Sequence, residues 1–156
     1  MEKRYNVCFV CTGNACRSPL AETVLKEMVS KEPNLNIDIW SCGTLDWGTN
    51  PRDEQMSKTA ASMGYIMSGT TSYMNQSNLL QADRIIVFSN EHRDKITQIL
   101  DSTHWSRIIL FDMLAFGQLN EVEDPCFQSD AVYERVARHI EEGCRNIVSK
   151  WLVRHP

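Results

Sequence analysis

The sequence predicts an α/β fold: a doubly wound, mainly parallel four-stranded sheet flanked by helices. Three observations carry this. Strand-like and helix-like patterns alternate about four times along the chain, as βαβ units do. The strand candidates are short apolar runs, as in sheets covered on both faces. The length, 156 residues, suits one domain spanning residues 1–156, a size that buries roughly 68–70% of its unfolded surface without a disulfide or metal staple.

The elements follow in order. Tyr5–Val10 (YNVCFV) is a first buried strand, and Cys11-Thr-Gly-Asn after it has turn composition. Ser18 is placed to start a helix over Pro19–Lys31, with a capping hydroxyl followed by a proline whose missing N–H costs nothing at the first position. Leu20, Val24, Leu25 and Met28 recur at helical spacing, and Pro33 lies just beyond the end. Ile37–Cys42 alternates as a second strand, Gly43–Arg52 is a loop, and Asp53–Met63 is a helix stopped by Gly64. Residues 65–82 read as loop with a short helix over Gln76–Gln81. Arg84–Phe88 and Arg107–Phe111 are the third and fourth strands, with a helix over Glu91–Leu100 between them. Met113–Asp130 is a long connection. Ala131–Val153 closes the chain as an amphipathic helix with Val132, Val136, Ile140, Ile147, Val148 and Trp151 on one side.

Composition narrows the function. With 16 basic against 20 acidic side chains and a formal net charge of −4, the chain lacks the basic excess of a general nucleic-acid binder. No run approaches the ~18 apolar residues of a membrane span, and Met1-Glu-Lys-Arg-Tyr-Asn has no secretory apolar core. A cytoplasmic protein that binds neither nucleic acid nor membrane is expected, and a monomer. Six cysteines in that setting are reduced rather than crosslinked. Cys8, Cys42 and Cys144 read as core filler, and the four histidines as surface residues. Cys8-x-x-Cys11 lies partly inside a strand, unlike a redox pair at a helix start. Cys8, Cys11 and Cys16 lack a fourth zinc ligand at a recognisable spacing, so no metal is expected.

The loop from Cys11 to Ser18 (CTGNACRS) carries the chemistry. Right-handed crossovers put it at the carboxyl edge of the sheet, where open α/β sheets bind ligands. The backbone N–H groups of Thr12, Gly13, Asn14, Ala15, Cys16, Arg17 and Ser18 can curl around one anion, with the helix end adding its dipole. Gly13 and Asn14 tolerate the left-handed conformations that such a nest needs. Arg17 can grip two oxygens of a phosphate. The Cys11 sulfur at the base of this positive field is expected to have a depressed pKa, with Ser18 placed to hydrogen-bond it. This is a phosphate loop carrying a nucleophile: in-line attack would give a phosphocysteine that water then releases. An acid must protonate the leaving oxygen. Asp124, stiffened by Pro125, is the best candidate, with Glu121, Glu123 and Asp112 as alternatives.

These residues resemble the low-molecular-weight protein tyrosine phosphatase family. Val10-Cys11-Thr-Gly-Asn-Ala-Cys-Arg-Ser-Pro-Leu-Ala-Glu22, Ser41-Cys-Gly-Thr44 followed by Trp47, and Asp124-Pro125-Cys-Phe127 match its motifs in order over essentially the whole chain. The resemblance implies Cys11 as nucleophile, Arg17 as transition-state clamp and Asp124 as general acid. It further implies that Ser18 lowers the thiol pKa, that Asn14 holds the loop's strained shape, and that Leu45, Trp47 and Phe127 wall the cleft. Phosphorylated proteins are the implied substrates, with no cofactor. The family also implies a reversible Cys11–Cys16 disulfide. Cys126, beside the candidate acid, reads as a further redox candidate or a small wall residue. The chain departs from the family pattern in four places. Cys126 stands where many members carry an aromatic. Ala15 stands where isoleucine marks tyrosine phosphatases and threonine arginine phosphatases. Gly69-Thr70 lies near the expected place of a histidine that buttresses the loop asparagine, and Ser89-Asn90 replaces Met-Asp. A protein-arginine phosphatase is therefore the main alternative. An arsenate reductase, which needs cysteines after the third strand that Ser89–Leu100 lacks, and a weak oxyanion-binding module are more remote.

Overall fold

In the computed structural model, which describes residues 4–154, four parallel strands form one sheet. They are β1 (Tyr5–Cys11), β2 (Ile37–Gly43), β3 (Arg84–Val87) and β4 (Ile108–Leu110), in the order β2-β1-β3-β4. The expected fold class is the observed one. His155 and the start Met1–Lys3, on which two sequence expectations fell, lie outside the described residues. Helices α1 (Arg17–Ser30), α2 (Glu54–Ser62), α3 (Gln76–Gln81), α4 (Asn90–Thr97), α5 (Phe111–Phe116) and α6 (Asp130–Arg154) complete the order.

The strands are apolar throughout because both faces are covered. On one face Val7, Phe9, Ile86 and Phe88 pack with Leu20 and Val24 of α1 and Val136, Ile140 and Ile147 of α6. On the other, Cys8, Val10, Ile85 and Val87 meet Leu79 of α3 and Ile96 of α4. Each fully buried side chain of this kind contributes about 1.5–3 kcal/mol over its exposed state. Phe9, Phe88 and Phe111 stack in file, with ring centroids 6.1 and 5.4 Å apart. Gly143 of α6 lies against that file: a Cβ there would stand 2.4 Å from the Phe111 ring. Cys8, Cys42 and Cys144 are buried as expected.

Three expectations are corrected. Helix α1 begins at Arg17, with Cys16 as its N-cap and no side-chain capping bond. Ser18 therefore lies within the first turn, where its hydroxyl serves the loop. The expected connection after β4 opens with helix α5, ended by Gly117 at φ +70. Six residues are too few for apolar periodicity to signal a helix against the apolar run of β4. A 3-10 turn over Ser102–Arg107 also precedes β4, where no element was expected.

Order reverses at β1, so the loops after β1 and β3 diverge around a crevice at the carboxyl edge of the sheet. The loop after β1 runs from Cys11 to Arg17. The loop after β3 leads into α4 and His92.

Candidate active site

The phosphate loop is held by its carbonyls. Cys11 O accepts from Thr44 N at 3.0 Å, Thr12 O from Leu45 N at 2.9 Å, Ala15 O from Asp53 N at 3.0 Å and Cys16 O from Leu20 N at 3.1 Å. Side chains take the other two: the Trp47 indole donates to Gly13 O at 3.0 Å and Arg52 Nη1 to Asn14 O at 2.6 Å. Six consecutive carbonyls thus bond away from the loop centre. In a trans peptide the N–H of the next residue points opposite to the carbonyl, so the amides of Thr12 to Arg17 face inward. That is a preformed anion nest at a helix N-terminus.

Asn14 makes the turn possible. It sits at φ +56 and is fully buried, a combination that needs every polar atom of its side chain satisfied. Nδ2 donates to Ser18 Oγ at 2.8 Å and to Ser41 Oγ at 2.9 Å. Oδ1 accepts from Arg52 Nη1 at 2.8 Å and from Ser72 N at 2.9 Å. Ser41 in turn donates to Glu22 Oε1 at 2.5 Å. Ser18 Oγ accepts from Asn14 and lies 2.9 Å from the Cys11 sulfur and 3.5 Å from Cys42 O, so its proton can turn to the sulfur when that sulfur carries charge. The thiol, 2% exposed, lies at the end of a chain of donors running from the asparagine. Gly43 closes the support from β2: a Cβ there would stand 2.6 Å from Thr12 O.

Arg17 is buried, 5% exposed. Its Nη1 donates to Val122 O at 2.9 Å, and Nη2 lies 3.4 Å from Thr12 Oγ1 and 3.6 Å from Asp124 Oδ2. Val122 N is itself held by Phe88 O at 2.8 Å, so the end of β3 positions the segment leading to Asp124. The other carboxylates are engaged elsewhere. Asp112 pairs with His139 at 2.7 Å, Glu121 accepts from Asn90 N at 2.6 Å, and Glu123 pairs with Arg135. Asp124 is half exposed, with Oδ1 accepting from Cys126 N at 3.1 Å.

A buried thiol beside an amide nest, with a guanidinium and a half-exposed carboxyl next to it, is a set of groups suited to cysteine-dependent phosphoryl transfer. In comparison with known proteins, the profile of the low molecular weight phosphotyrosine protein phosphatases matches residues 6–155. The chain belongs to this family. A low molecular weight protein-tyrosine-phosphatase of Staphylococcus saprophyticus is 29% identical over 146 residues, covering 92% of this chain and 91% of its own. A protein-arginine-phosphatase of Bacillus subtilis is 22% identical over 145 residues, covering 93% and 95%. The crystal structure of a low molecular weight phosphotyrosine phosphatase from Vibrio cholerae O395 superposes with a TM-score of 0.90 at 30% identity, covering 97% of this chain and 99% of that one.

Among the family's expected wall residues, Trp47 lies against the loop itself. Its ring covers Gly13, where a Cβ would meet Cζ2 at 3.5 Å, and its N–H is bonded to the loop. It anchors the nest while leaving 46% of its surface exposed. Leu45 is half exposed beside it, and Phe127, at φ +64, is 99% exposed. The asparagine support that a histidine gives in many phosphatases of this family is supplied by Arg52 and the amide of Ser72. Arg52 carries no local signal in the sequence, because it reaches Asn14 only after the 43–52 loop folds back.

His92 corrects the expectation that the histidines lie on the surface: it is 1% exposed. Phe88 N and Ser89 N both donate to its Nδ1, at 3.3 and 3.2 Å. The ring proton therefore sits on Nε2 and is donated to Thr12 Oγ1 at 3.0 Å. Burial first, and then the Arg17 guanidinium, lower its pKa from 6.5 to about 3. Below 6.5 the unfolded chain gains a proton that the folded one refuses, so this contribution is present above pH 6.5 and is lost as pH falls toward 3. The melting temperature of the wild type should fall more steeply between pH 6.5 and 4 than that of His92→Gln. Parallel curves would remove His92 from this role.

Proposed function

We propose that the protein removes phosphate from phosphotyrosine in phosphorylated proteins through a phosphocysteine intermediate. The Cys11 thiolate attacks phosphorus in line. The bond to the tyrosyl oxygen breaks, and Asp124 gives its proton to that oxygen. Arg17 and the inward amides hold the three equatorial oxygens as charge spreads over them. The Asp124 carboxylate then takes a proton from water, the water oxygen attacks phosphorus, and the P–S bond breaks to release phosphate and restore the thiolate. The observation that carries this reading is the run of six outward-bonded carbonyls from Cys11 to Cys16, which leaves an anion nest directly over a sulfur. No metal or cofactor enters the scheme.

Trp47, Leu45 and Phe127 form the proposed apolar rim, against which a phosphotyrosine ring would lie. In this reading the enzyme acts in the cytoplasm as a monomer on protein substrates. Among the described residues no helix is long and apolar enough to cross a membrane, and the net charge of −4 gives nucleic acid no general purchase. The second reading, a protein-arginine phosphatase, is left open by Ala15, which decides neither activity. A methyl group sets little preference at the loop position that separates the two activities in the family, and a Bacillus subtilis relative carries the arginine name.

Phosphotyrosine, phosphoserine and phosphoarginine peptides of one sequence, assayed on the same enzyme, test the proposal. The phosphotyrosine peptide should have the highest kcat/KM. A preference for phosphoarginine would move the assignment to the second reading, and inactivity on all three would sink both. Asp124→Asn should lower phosphotyrosine turnover by about 10²–10⁴-fold, the usual worth of a general acid. The loss should be smaller for p-nitrophenyl phosphate, whose leaving group needs less protonation. An equal loss on both substrates would point to a different acid.

A further inference from the structure

We propose that Cys16, Cys126 and Asp53 form a site for a thiophilic divalent cation of the zinc type, which would tie the phosphate loop to the segment carrying Asp124. The sequence argued against a metal because no ligand set recurs at a recognisable spacing. The fold assembles one from three separate places: the phosphate loop, the residue capping α2, and the residue two beyond Asp124. Their ligand atoms, two sulfurs and a carboxylate oxygen, lie within 4.8 Å of one another. A tetrahedral zinc with bonds of about 2.3 Å to sulfur and 2.0–2.2 Å to oxygen needs separations of about 3.5–3.8 Å, which fit inside that limit.

The site is built rather than incidental. Asp53 N donates to Ala15 O at 3.0 Å, fixing the start of α2 to the loop beside Cys16. One carboxylate oxygen of Asp53 accepts from Met56 N at 2.9 Å. This outer contact orients the carboxylate and leaves lone pairs for a metal. Cys16 is buried while Asp53 and Cys126 are half-buried, which gives an ion a path from solvent and leaves a fourth position for water, as in three-ligand zinc sites.

Two thiols and one carboxylate bind a divalent ion with release of two protons, so affinity rises with pH. Thiolate ligands select zinc-like ions over magnesium or calcium.

The test titrates Co²⁺ into the reduced protein under a non-thiol reductant without oxygen, followed by displacement with Zn²⁺. The wild type should take up one equivalent, with the near-ultraviolet band of thiolate-to-cobalt charge transfer and the visible bands of four-coordinate cobalt. Cys126→Ser should bind at least tenfold more weakly, with about half the charge-transfer intensity. Asp53→Asn should keep that intensity at reduced affinity. Cys11→Ser should bind as the wild type does, which separates this site from the proposed nucleophile and makes the outcome independent of the phosphatase reading. Cobalt-free melting curves of Cys126→Ser and Cys126→Ala check that each variant is folded. A wild type without the charge-transfer band would overturn the proposal, as would a band lost in Cys11→Ser and kept in Cys126→Ser.

Discussion

Cys11→Ser should abolish turnover of p-nitrophenyl phosphate, with a loss on the order of 10⁴-fold or more, while the protein still binds inorganic phosphate. The two outcomes separate because nucleophile and nest are built from different atoms. Anion affinity comes from the inward amides and Arg17, which are held by Thr44, Leu45, Trp47, Arg52 and Asp53 rather than by the sulfur. A serine fits where the thiol was and can keep the contact with Ser18, 2.9 Å away. What it lacks is the nucleophilicity of sulfur. Initial rates give the first outcome. Indole fluorescence gives the second, because the Trp47 ring lies against Gly13 at the mouth of the nest. Residual activity within tenfold of the wild type would remove Cys11 from the chemistry. Loss of phosphate binding together with activity would mean that the sulfur holds the loop together.

How much of this site is legible along the chain depends on whether a residue's partners are local. The Cys11–Ser18 loop was readable because eight adjacent residues carry the proposed nucleophile, the arginine and the turn-formers, with a strand before and a helix after them. The apolar runs of β1 and β3 were readable because a sheet covered on both faces leaves no alternation to misread. His92 was not readable. Its role rests on two amides at the end of β3 and a threonine eighty residues away, and a single histidine in a polar helix shows none of that. Arg52 and Val122 act through main-chain groups of distant segments, where side-chain type carries little signal. Ser18 reads along the chain both as a helix cap and as a partner of the Cys11 sulfur, because a hydroxyl before Pro19 suits either task. The structure keeps the second, with contacts to Cys11 and Asn14, and gives the cap position to Cys16. Cys126 was visible as a departure from the family, yet its proximity to Cys16 and Asp53 exists only once the segment after Asp124 packs against the start of α2.

Arg17→Lys should lower kcat by about 10²–10³-fold, close to the cost of removing a preorganised oxyanion donor, with a smaller effect on the affinity for phosphate. The substitution keeps the positive charge, so it isolates the geometry of the fork. The guanidinium is anchored on one side by Val122 O at 2.9 Å and faces Thr12 Oγ1 and Asp124 on the other. Its planar donors are therefore aimed before substrate arrives. A lysine ammonium is a point donor on a flexible stem and cannot hold two equatorial oxygens in parallel. The loss falls on kcat because the equatorial oxygens spread into a plane as phosphorus is transferred, and a bidentate fork matches that plane better than it matches the ground-state tetrahedron. There is also a structural cost. Val122 is buried, and its carbonyl would lose its arginine partner, a penalty of about 1–3 kcal/mol for an unsatisfied buried group. A lower melting temperature should therefore accompany the kinetic loss. Arg17→Met, which removes the charge as well, should weaken phosphate binding much more than Arg17→Lys does. If the two variants bound phosphate equally poorly, the ground-state complex would depend on the fork and not on the charge. If Arg17→Lys kept full kcat, charge alone would account for the clamp, and the anchoring through Val122 would serve the fold rather than the reaction.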